Sequence, residues 1–200
     1  MKSISMFPIW LRMRRTAARM LRDRSGIAAT EFAVIVPVML VMFFGTVEFS
    51  AGVAVDRKVT LMARTLSDLT SQSTSVSDTD LTSFFAASKG IMTPYSPTPT
   101  QSTISELYVV PGTLVVKVMW SQGSAPRGVG TTITIPSELK VSGTYLIFSE
   151  VSYRYVPAVG KVMSATGVNL TDVAYTRPRQ STCVIYPTPS SGSLPNCPTS

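Results

Sequence analysis

The sequence contains no histidine, only two cysteines, and few acidic residues: eleven Asp and Glu in 200 residues. Histidine is the usual acid–base group near neutral pH, so its absence excludes histidine-dependent triads and most catalytic zinc sites. Serine and threonine are plentiful, but no histidine can activate them and no lysine–serine motif stands out. An enzyme is therefore the least favoured class, and we expect no cofactor and no small-molecule substrate.

The positive charge is concentrated at the start of the chain. The net charge is +7, yet seven Lys and Arg face only Asp23 before Ser25, whereas eleven basic residues face ten acidic ones afterwards. Nucleic-acid binding needs a basic face on a folded domain, which this distribution does not provide, so we expect no nucleic-acid partner. By the positive-inside rule, residues 1–26 are predicted to be a basic cytoplasmic leader.

A long apolar segment follows the leader. No residue between Phe32 and Val47 is charged. With its small apolar neighbours, the segment predicts a helix over residues 27–56, which is long enough to cross the roughly 30 Å of bilayer hydrocarbon. Pro37 lies inside it and predicts a kink or local melting of the helix. The segment is therefore predicted to be a single-pass transmembrane helix.

The remainder of the chain predicts an α+β domain over residues 57–182. Apolar residues at intervals of three and four extend the long helix through 57–70 as an amphipathic helix. Thr79 or Asp80 is expected to cap a short helix, and Thr93 to Ser102 is expected to be an extended connection. Apolar residues alternating with polar ones predict strands at 104–110, 113–121, 131–135, 144–156 and 168–177, the third being ambiguous.

These elements predict a pilin-like α+β fold. Its long N-terminal helix has a membrane-spanning first half and an amphipathic second half. Since the amphipathic half needs a cover, we expect it to pack on a small antiparallel sheet of three or four strands.

The two cysteines lie close together in a Pro/Ser-rich tail, residues 183–200. On the exported side of a membrane, such a pair is more often a disulfide than a metal site. We therefore predict that Cys183 and Cys197 form a disulfide that closes the tail, and we expect no metal.

One stretch carries a family resemblance. The residues from Gly26 to Phe32 read GIAATEF, an apolar run containing Pro37 follows, and the residues from Gly45 to Phe49 read GTVEF. This arrangement resembles the TadE-like proteins of bacterial tight-adherence (Flp, type IVb) pilus systems. The resemblance covers roughly residues 26–57, about a sixth of the chain.

The resemblance implies processing and partners. A prepilin peptidase would cut between Gly26 and Ile27, which makes Glu31 the fifth residue of the mature chain. Processed relatives typically have tyrosine after that glutamate, where this chain has Phe32. The expected partners are the membrane, prepilin peptidase, other pilin-like subunits and the pilus assembly platform. The expected location is the bacterial inner membrane, with a cytoplasmic N-terminus and a periplasmic C-terminal domain, and incorporation into an extracellular pilus is left open.

Four residues of the helix are candidates for assembly: Glu31, Phe32, Pro37 and Glu48. A carboxylate at mid-bilayer costs about 2.5–3.5 kcal/mol on insertion scales, so Glu31 needs a partner or a position at headgroup level. After cleavage, Glu31 could pair with the Ile27 amine of a neighbouring subunit, which would remove two charges from lipid together. Glu48 lies near the outer boundary, where simple solvation is favoured.

The favoured function is that of a pilin-like minor subunit or assembly factor, acting by helix-mediated association in the inner membrane. One alternative is an uncleaved single-pass component of a secretion or envelope complex. A second is a secreted protein released by signal peptidase, with cleavage after Ala54.

Overall fold

The structure is a computed structural model that describes residues 25–157 and 167–187. The predicted basic leader, the connection 158–166 and the tail from residue 188, with Cys197, lie outside the described residues. The chain divides into two compact units between Val47 and Glu48, and each is considered separately below. The predicted domain boundaries at residues 26, 56 and 182 stay predictions.

The first element is one long helix, α1 (Ser25–Ser71), which ends within a residue of the expected end at Thr70. The helix is continuous through Pro37, so the expected local melting does not occur. Proline removes a single ladder hydrogen bond, and the apolar residues around it continue to favour the helix. The residues 57–70 are helical, as predicted.

A shorter helix, α2 (Asp78–Gly90), follows a brief loop. Its N-cap is Ser77, so the prediction of Thr79 or Asp80 as the cap is wrong. The Ser77 hydroxyl accepts a hydrogen bond from the Asp80 backbone N–H, while the Asp80 carboxylate accepts one from the Ser77 N–H at 2.9 Å. Two N–H groups at the helix start are thereby satisfied, which fixes where α2 begins.

Five strands form one antiparallel sheet, in the order β3-β2-β1-β4-β5. They are β1 (Thr100–Val109), β2 (Val116–Gly123), β3 (Thr132–Ile133), β4 (Tyr145–Tyr155) and β5 (Val168–Thr176). The α+β prediction is confirmed, but the sheet has one strand more than the upper expectation because β3 pairs with β2 at the edge. A short 3-10 helix (Ser137–Leu139) lies between β3 and β4.

The starts of two strands, β1 and β2, differ most from the prediction. β1 begins at Thr100, inside the expected extended connection, because Thr100 pairs with Tyr153 of β4. β2 begins at Val116, three residues later than expected, because Leu114 adopts a left-handed φ of 53° and donates its N–H to the Val110 carbonyl. The turn between β1 and β2 is therefore longer than the gap between the predicted strands at 104–110 and 113–121.

The second half of α1 packs on one face of the sheet through an apolar stripe. Val55, Val59, Met62 and Leu66 have no exposed surface. Their spacing of three and four residues is the predicted amphipathic pattern, and burying each of them stabilises the fold by about 1.5–3 kcal/mol. Their partners across the interface include Ile104, Ile147, Val151 and Tyr153.

Side-chain hydrogen bonds fix the register between α1 and the sheet. The Ser149 hydroxyl of β4 donates to the Ala63 carbonyl at 2.6 Å, and the Ser67 hydroxyl donates to the Thr176 hydroxyl of β5 at 2.7 Å. Both serines are fully buried. Because a buried hydroxyl without a partner is costly, these pairs oppose a slip of the helix along the sheet.

The other face of the sheet is also covered, around Leu146 and Phe148 of β4. These two residues are buried with Ile135, and Leu139 of the 3-10 helix packs on the same cluster. Tyr175 of β5 stacks on Phe148 at 4.7 Å between ring centroids. The sheet therefore has a second, smaller core on the side away from α1.

A β-bulge in β2 contradicts the simple alternation predicted from Leu114 to Trp120. Glu106 pairs with Trp120, whereas the next residue of β1, Leu107, pairs with Val118. Met119 is the extra residue of β2. Because of it, Val118 and Trp120 point to opposite faces of the sheet, although simple alternation places them on the same face. Val118 consequently joins the second core, while Trp120 packs on the α1 side.

A buried carboxyl group joins β1 to the C-terminal segment. Glu106 has no exposed surface, and its Oε1 accepts a hydrogen bond from the Val184 N–H at 2.6 Å. Trp120 Nε1 donates to the Val184 carbonyl at 2.8 Å, and Ile185 forms a parallel bridge with Ser75. Burial raises the pKa of Glu106 to about 8, from an ordinary value of 4.5, although the hydrogen bond from Val184 lowers it.

This raised pKa predicts a pH-dependent stability. The unfolded Glu106 loses its proton near pH 4.5 and the folded one near pH 8, so its contribution is complete below pH 4.5 and is lost as the pH rises towards 8. In that window the free energy of unfolding should fall by up to about 1.4 kcal/mol per pH unit. Urea unfolding of the full chain in detergent measures the slope.

The matched variants are Glu106→Gln and Glu138→Gln. The first keeps the size of the side chain but removes its titration, so the slope between pH 4.5 and 8 should flatten. Glu138 is exposed, so its variant should keep the slope of the unsubstituted protein. An unchanged slope in Glu106→Gln would contradict the assignment.

Candidate functional site on the apolar helix

The first half of α1 presents its side chains outward on all sides. Every residue from Gly26 to Val47 is exposed except Val36, which is half-buried. The large apolar side chains among them include Phe32, Val34 and Val41, each 69% exposed. Soluble proteins rarely expose so large a continuous apolar surface, so this half of the helix needs lipid or other helices around it.

By length and composition, α1 is the single helix in the described part of the chain that could cross a membrane. Its most apolar window has no buried residue. A helix that is apolar all round is typical of a membrane span, whereas a surface helix has a single apolar stripe. The helix therefore fits a single-pass membrane protein.

Glu31 is the one charged side chain in the apolar half of α1. It is exposed, and it makes no hydrogen bond or ion pair with other residues of the described ranges 25–157 and 167–187. Ile27 lies four residues earlier, so the two residues share a face and are about 6 Å apart along the helix axis. The adjacent Thr30 hydroxyl donates to the Ile27 carbonyl at 2.8 Å, within the helix itself.

Two further candidates, Phe32 and Pro37, are exposed on the same half of the helix. Because proline has no N–H, the carbonyl four residues earlier, at Ala33, lacks its usual ladder partner. In a bilayer such a carbonyl needs a donor from a neighbouring helix or a local adjustment. Phe32 supplies apolar surface beside it.

Gly26 has open space around it. A Cβ at Gly26 would meet no atom within 4 Å, and the same holds for Gly45 further along the helix. Packing within the described chain therefore does not require glycine at either position. Any need for glycine at position 26 must come from a partner.

Glu48 differs from Glu31 in its surroundings. It is half-buried at the start of the second compact unit. Burial raises the pKa of Tyr155, and the negative charge of Glu48 raises it further, which shows that the two groups are close. We expected Glu48 simply to reach water. The fold also brings Tyr155 near Glu48, and the sequence alone did not predict this.

The described residues include one cysteine of the predicted disulfide, Cys183. Cys183 is 2% exposed and lies beside the fully buried Val184. It is not a free thiol. Its predicted partner, Cys197, lies outside the described residues, so the pairing stays a prediction.

The polar groups elsewhere in residues 25–157 and 167–187 form no catalytic arrangement that the sequence analysis had missed. Within the described ranges, no three His, Cys, Asp or Glu residues are grouped so that they could hold a metal ion. A shallow groove of about 330 Å³ on the sheet is lined by Arg127 and Glu150, which form an ion pair with each other. Their charges are mutually neutralised, and the groove has no nucleophile paired with a base.

In a comparison with known families, residues 26–66 match the family described as TadE-like protein. The matched range contains Gly26, Glu31, Pro37 and Glu48, and it extends into the buried stripe of α1. Comparison with curated proteins gives no significant match, and comparison with solved structures gives none either.

The match falls on the segment that carries the sequence resemblance and confirms it. TadE-like proteins are a pilus-associated structural or assembly family, and the match supports involvement in tight-adherence (Flp) pilus assembly. Residues 26–66 of this chain are therefore similar to TadE-like proteins.

Proposed function

We propose that this protein is a pilin-like minor subunit or assembly factor of a type IVb (Flp/tight-adherence) pilus. It is anchored in the bacterial inner membrane with its N-terminus in the cytoplasm and its α+β domain in the periplasm. The observation that carries the proposal is the fully exposed apolar half of α1 with its single carboxylate at Glu31. The TadE-like match over residues 26–66 supports it.

Association of helices is the proposed mechanism. Glu31 in lipid costs about 2.5–3.5 kcal/mol on insertion scales when unpaired. Cleavage after Gly26 creates an amine at Ile27, and the Glu31 carboxylate of one subunit pairs with that amine on a neighbour. The pair removes both charges from lipid, so it drives assembly and sets the register between neighbouring helices. Phe32 adds contact surface, and so does the Ala33 carbonyl, which lacks its ladder partner because of Pro37.

Two alternatives make different use of the same helix. An uncleaved anchor keeps its leader, and a secreted protein loses the whole apolar segment by cleavage after Ala54. The second alternative conflicts with the packing, because Val55 is fully buried and begins the stripe that holds α1 on the sheet. A cut there would place a new charged N-terminus at a buried residue.

The mature N-terminus distinguishes the three possibilities. We expect cleavage between Gly26 and Ile27 to remove roughly 3 kDa and to leave the product in the membrane fraction. N-terminal sequencing of the membrane-bound protein measures this. Gly26→Val should block cleavage, whereas Gly45→Val, an equally open glycine in the same helix, should not. A mature start at Met1, or a soluble product beginning at Val55, would contradict the proposal.

Neutralising Glu31 should weaken assembly. Glu31→Gln should insert into the membrane at least as well as the unsubstituted protein, because it removes a charge from lipid. Losing the pair should reduce recovery of pilin-like subunits with the tagged protein by about tenfold, corresponding to about 1.4 kcal/mol. Quantitative pull-down from detergent-solubilised membranes of a pilus-forming strain measures the effect.

The matched control for that experiment is Glu48→Gln, which changes the other carboxylate of the helix. It should retain most of the recovery, since Glu48 lies at the edge of the apolar segment. If Glu31→Gln assembled normally while Glu48→Gln did not, the two carboxylates would have the opposite roles.

The tail is proposed to be closed by a Cys183–Cys197 disulfide. Closing a loop of about fifteen residues stabilises by roughly 3 kcal/mol in the chain-entropy model. Maleimide labelling of the unreduced, denatured protein should find no free thiol, and labelling after reduction should find both. Cys197→Ser should expose one thiol under the same unreduced conditions. Two labelled cysteines in the unreduced protein would show that the disulfide is absent.

A further inference from the structure

The sheet extends along α1 as far as the first residues of the second compact unit. This unit, Glu48–Ser200, is called the α+β unit below. Ser149 of β4 is fixed to the helix at Ala63 by its hydroxyl. Further along the same strand, the Tyr155 ring reaches Gly52, where a Cβ would lie 3.6 Å from Tyr155 Cε1. The end of β4 is therefore level with Gly52, close to the first residue of the unit, Glu48.

The position of Gly52 along α1 coincides with a bilayer surface when α1 spans a membrane. About 20 residues cross 30 Å of hydrocarbon, so a span that begins between Ile27 and Phe32 ends between about residues 47 and 52. The interfacial layer beyond it is about 5–7 Å thick, which corresponds to four or five further helical residues. Residues 48–55 of α1 therefore cross the layer of lipid headgroups.

Apolar side chains are exposed at this level on both the helix and the sheet. Phe49 and Val53 on α1 are 74% and 39% exposed, and Val156 and Val168 at the end of the sheet are 47% and 51% exposed. Val168 pairs with Tyr155 across the sheet, and Val156 directly follows Tyr155 in the chain. Four such residues at one end of a domain are unfavourable in water but suit an interfacial layer.

Tyrosines surround the same level. Tyr95 and Tyr155 pack on the core cluster that holds Val55 and Tyr153. Tyr153 donates its hydroxyl hydrogen to the Ser96 carbonyl at 3.1 Å, while Tyr155 is half-buried. An aromatic ring with a polar end is the side chain that membrane–water interfaces favour.

The charges near this level are close to balanced. Asp56 and Arg57 are both exposed, whereas Lys58 donates to the carbonyls of Ile91 and Thr93, each at 2.8 Å. Arg57 is long enough to reach lipid phosphate with its guanidinium while its stem stays on the helix. Contact with lipid here would thus depend on apolar and aromatic surface rather than on anionic lipid.

We infer that the α+β unit rests directly on the bilayer through an interfacial collar formed by Phe49, Val53, Tyr155, Val156 and Val168. The collar inserts into the headgroup layer at the surface where α1 emerges, so the sheet is held against the membrane instead of moving freely above it. The inference depends on α1 spanning a bilayer and not on any role in a pilus.

Tryptophan quenching by brominated lipid tests the collar. The full chain carrying Trp10→Phe is reconstituted in neutral phosphatidylcholine vesicles, with the native Trp120 kept because it is buried. Single tryptophans replace Val156 or Val168 in the collar. Leu114, 43% exposed in the turn between β1 and β2 at the opposite end of the sheet, is the matched control. Val41→Trp reports on insertion of the helix.

Acyl-brominated phosphatidylcholine should lower the added fluorescence of Val156→Trp and Val168→Trp by about twofold, and that of Val41→Trp at least as much. Leu114→Trp should match its value in unbrominated vesicles. If Val41→Trp is quenched while the two collar variants behave like Leu114→Trp, the collar is disproved, but insertion of α1 in the membrane is supported. If Val41→Trp is not quenched, α1 is not inserted, and both the collar and the membrane anchor are disproved.

Discussion

The burial of one helical stripe against the sheet is the interaction on which the rest of the structure depends. Val55, Val59, Met62 and Leu66 have no exposed surface, and together they hold the second half of α1 on β1 and β4. Because the same helix continues upstream with no covering at all, α1 joins a folded core to a segment that needs lipid or helix partners.

Three glutamates illustrate how environment decides what a carboxylate can do. Glu31 is exposed on an apolar helix, Glu48 is half-buried near Tyr155, and Glu106 is fully buried against the Val184 N–H. The first is the carboxylate that we propose pairs with another subunit, since lipid penalises its charge until it is paired. The third is held by the fold of its own chain, and burial raises its pKa.

Different hydrogen bonds hold the C-terminal segment and the turn from Ile91 to Ser96. Glu106 and Trp120 hold Val184 beside one part of the core, whereas Lys58 and Tyr153 fix the turn from Ile91 to Ser96 beside another. Local hydrogen bonds of this kind lower the freedom of segments that lack regular structure.

The sequence by itself determined the long helix, its change from an apolar to an amphipathic pattern near residue 56, the α+β class and the TadE-like segment. These follow from local periodicity and charge, which are written directly in the chain. Tertiary structure decided the rest: the bulge at Met119, the burial of Glu106 and the closeness of Tyr155 to Gly52. Each depends on which residues meet across elements far apart in sequence, and neither periodicity nor composition carries that information.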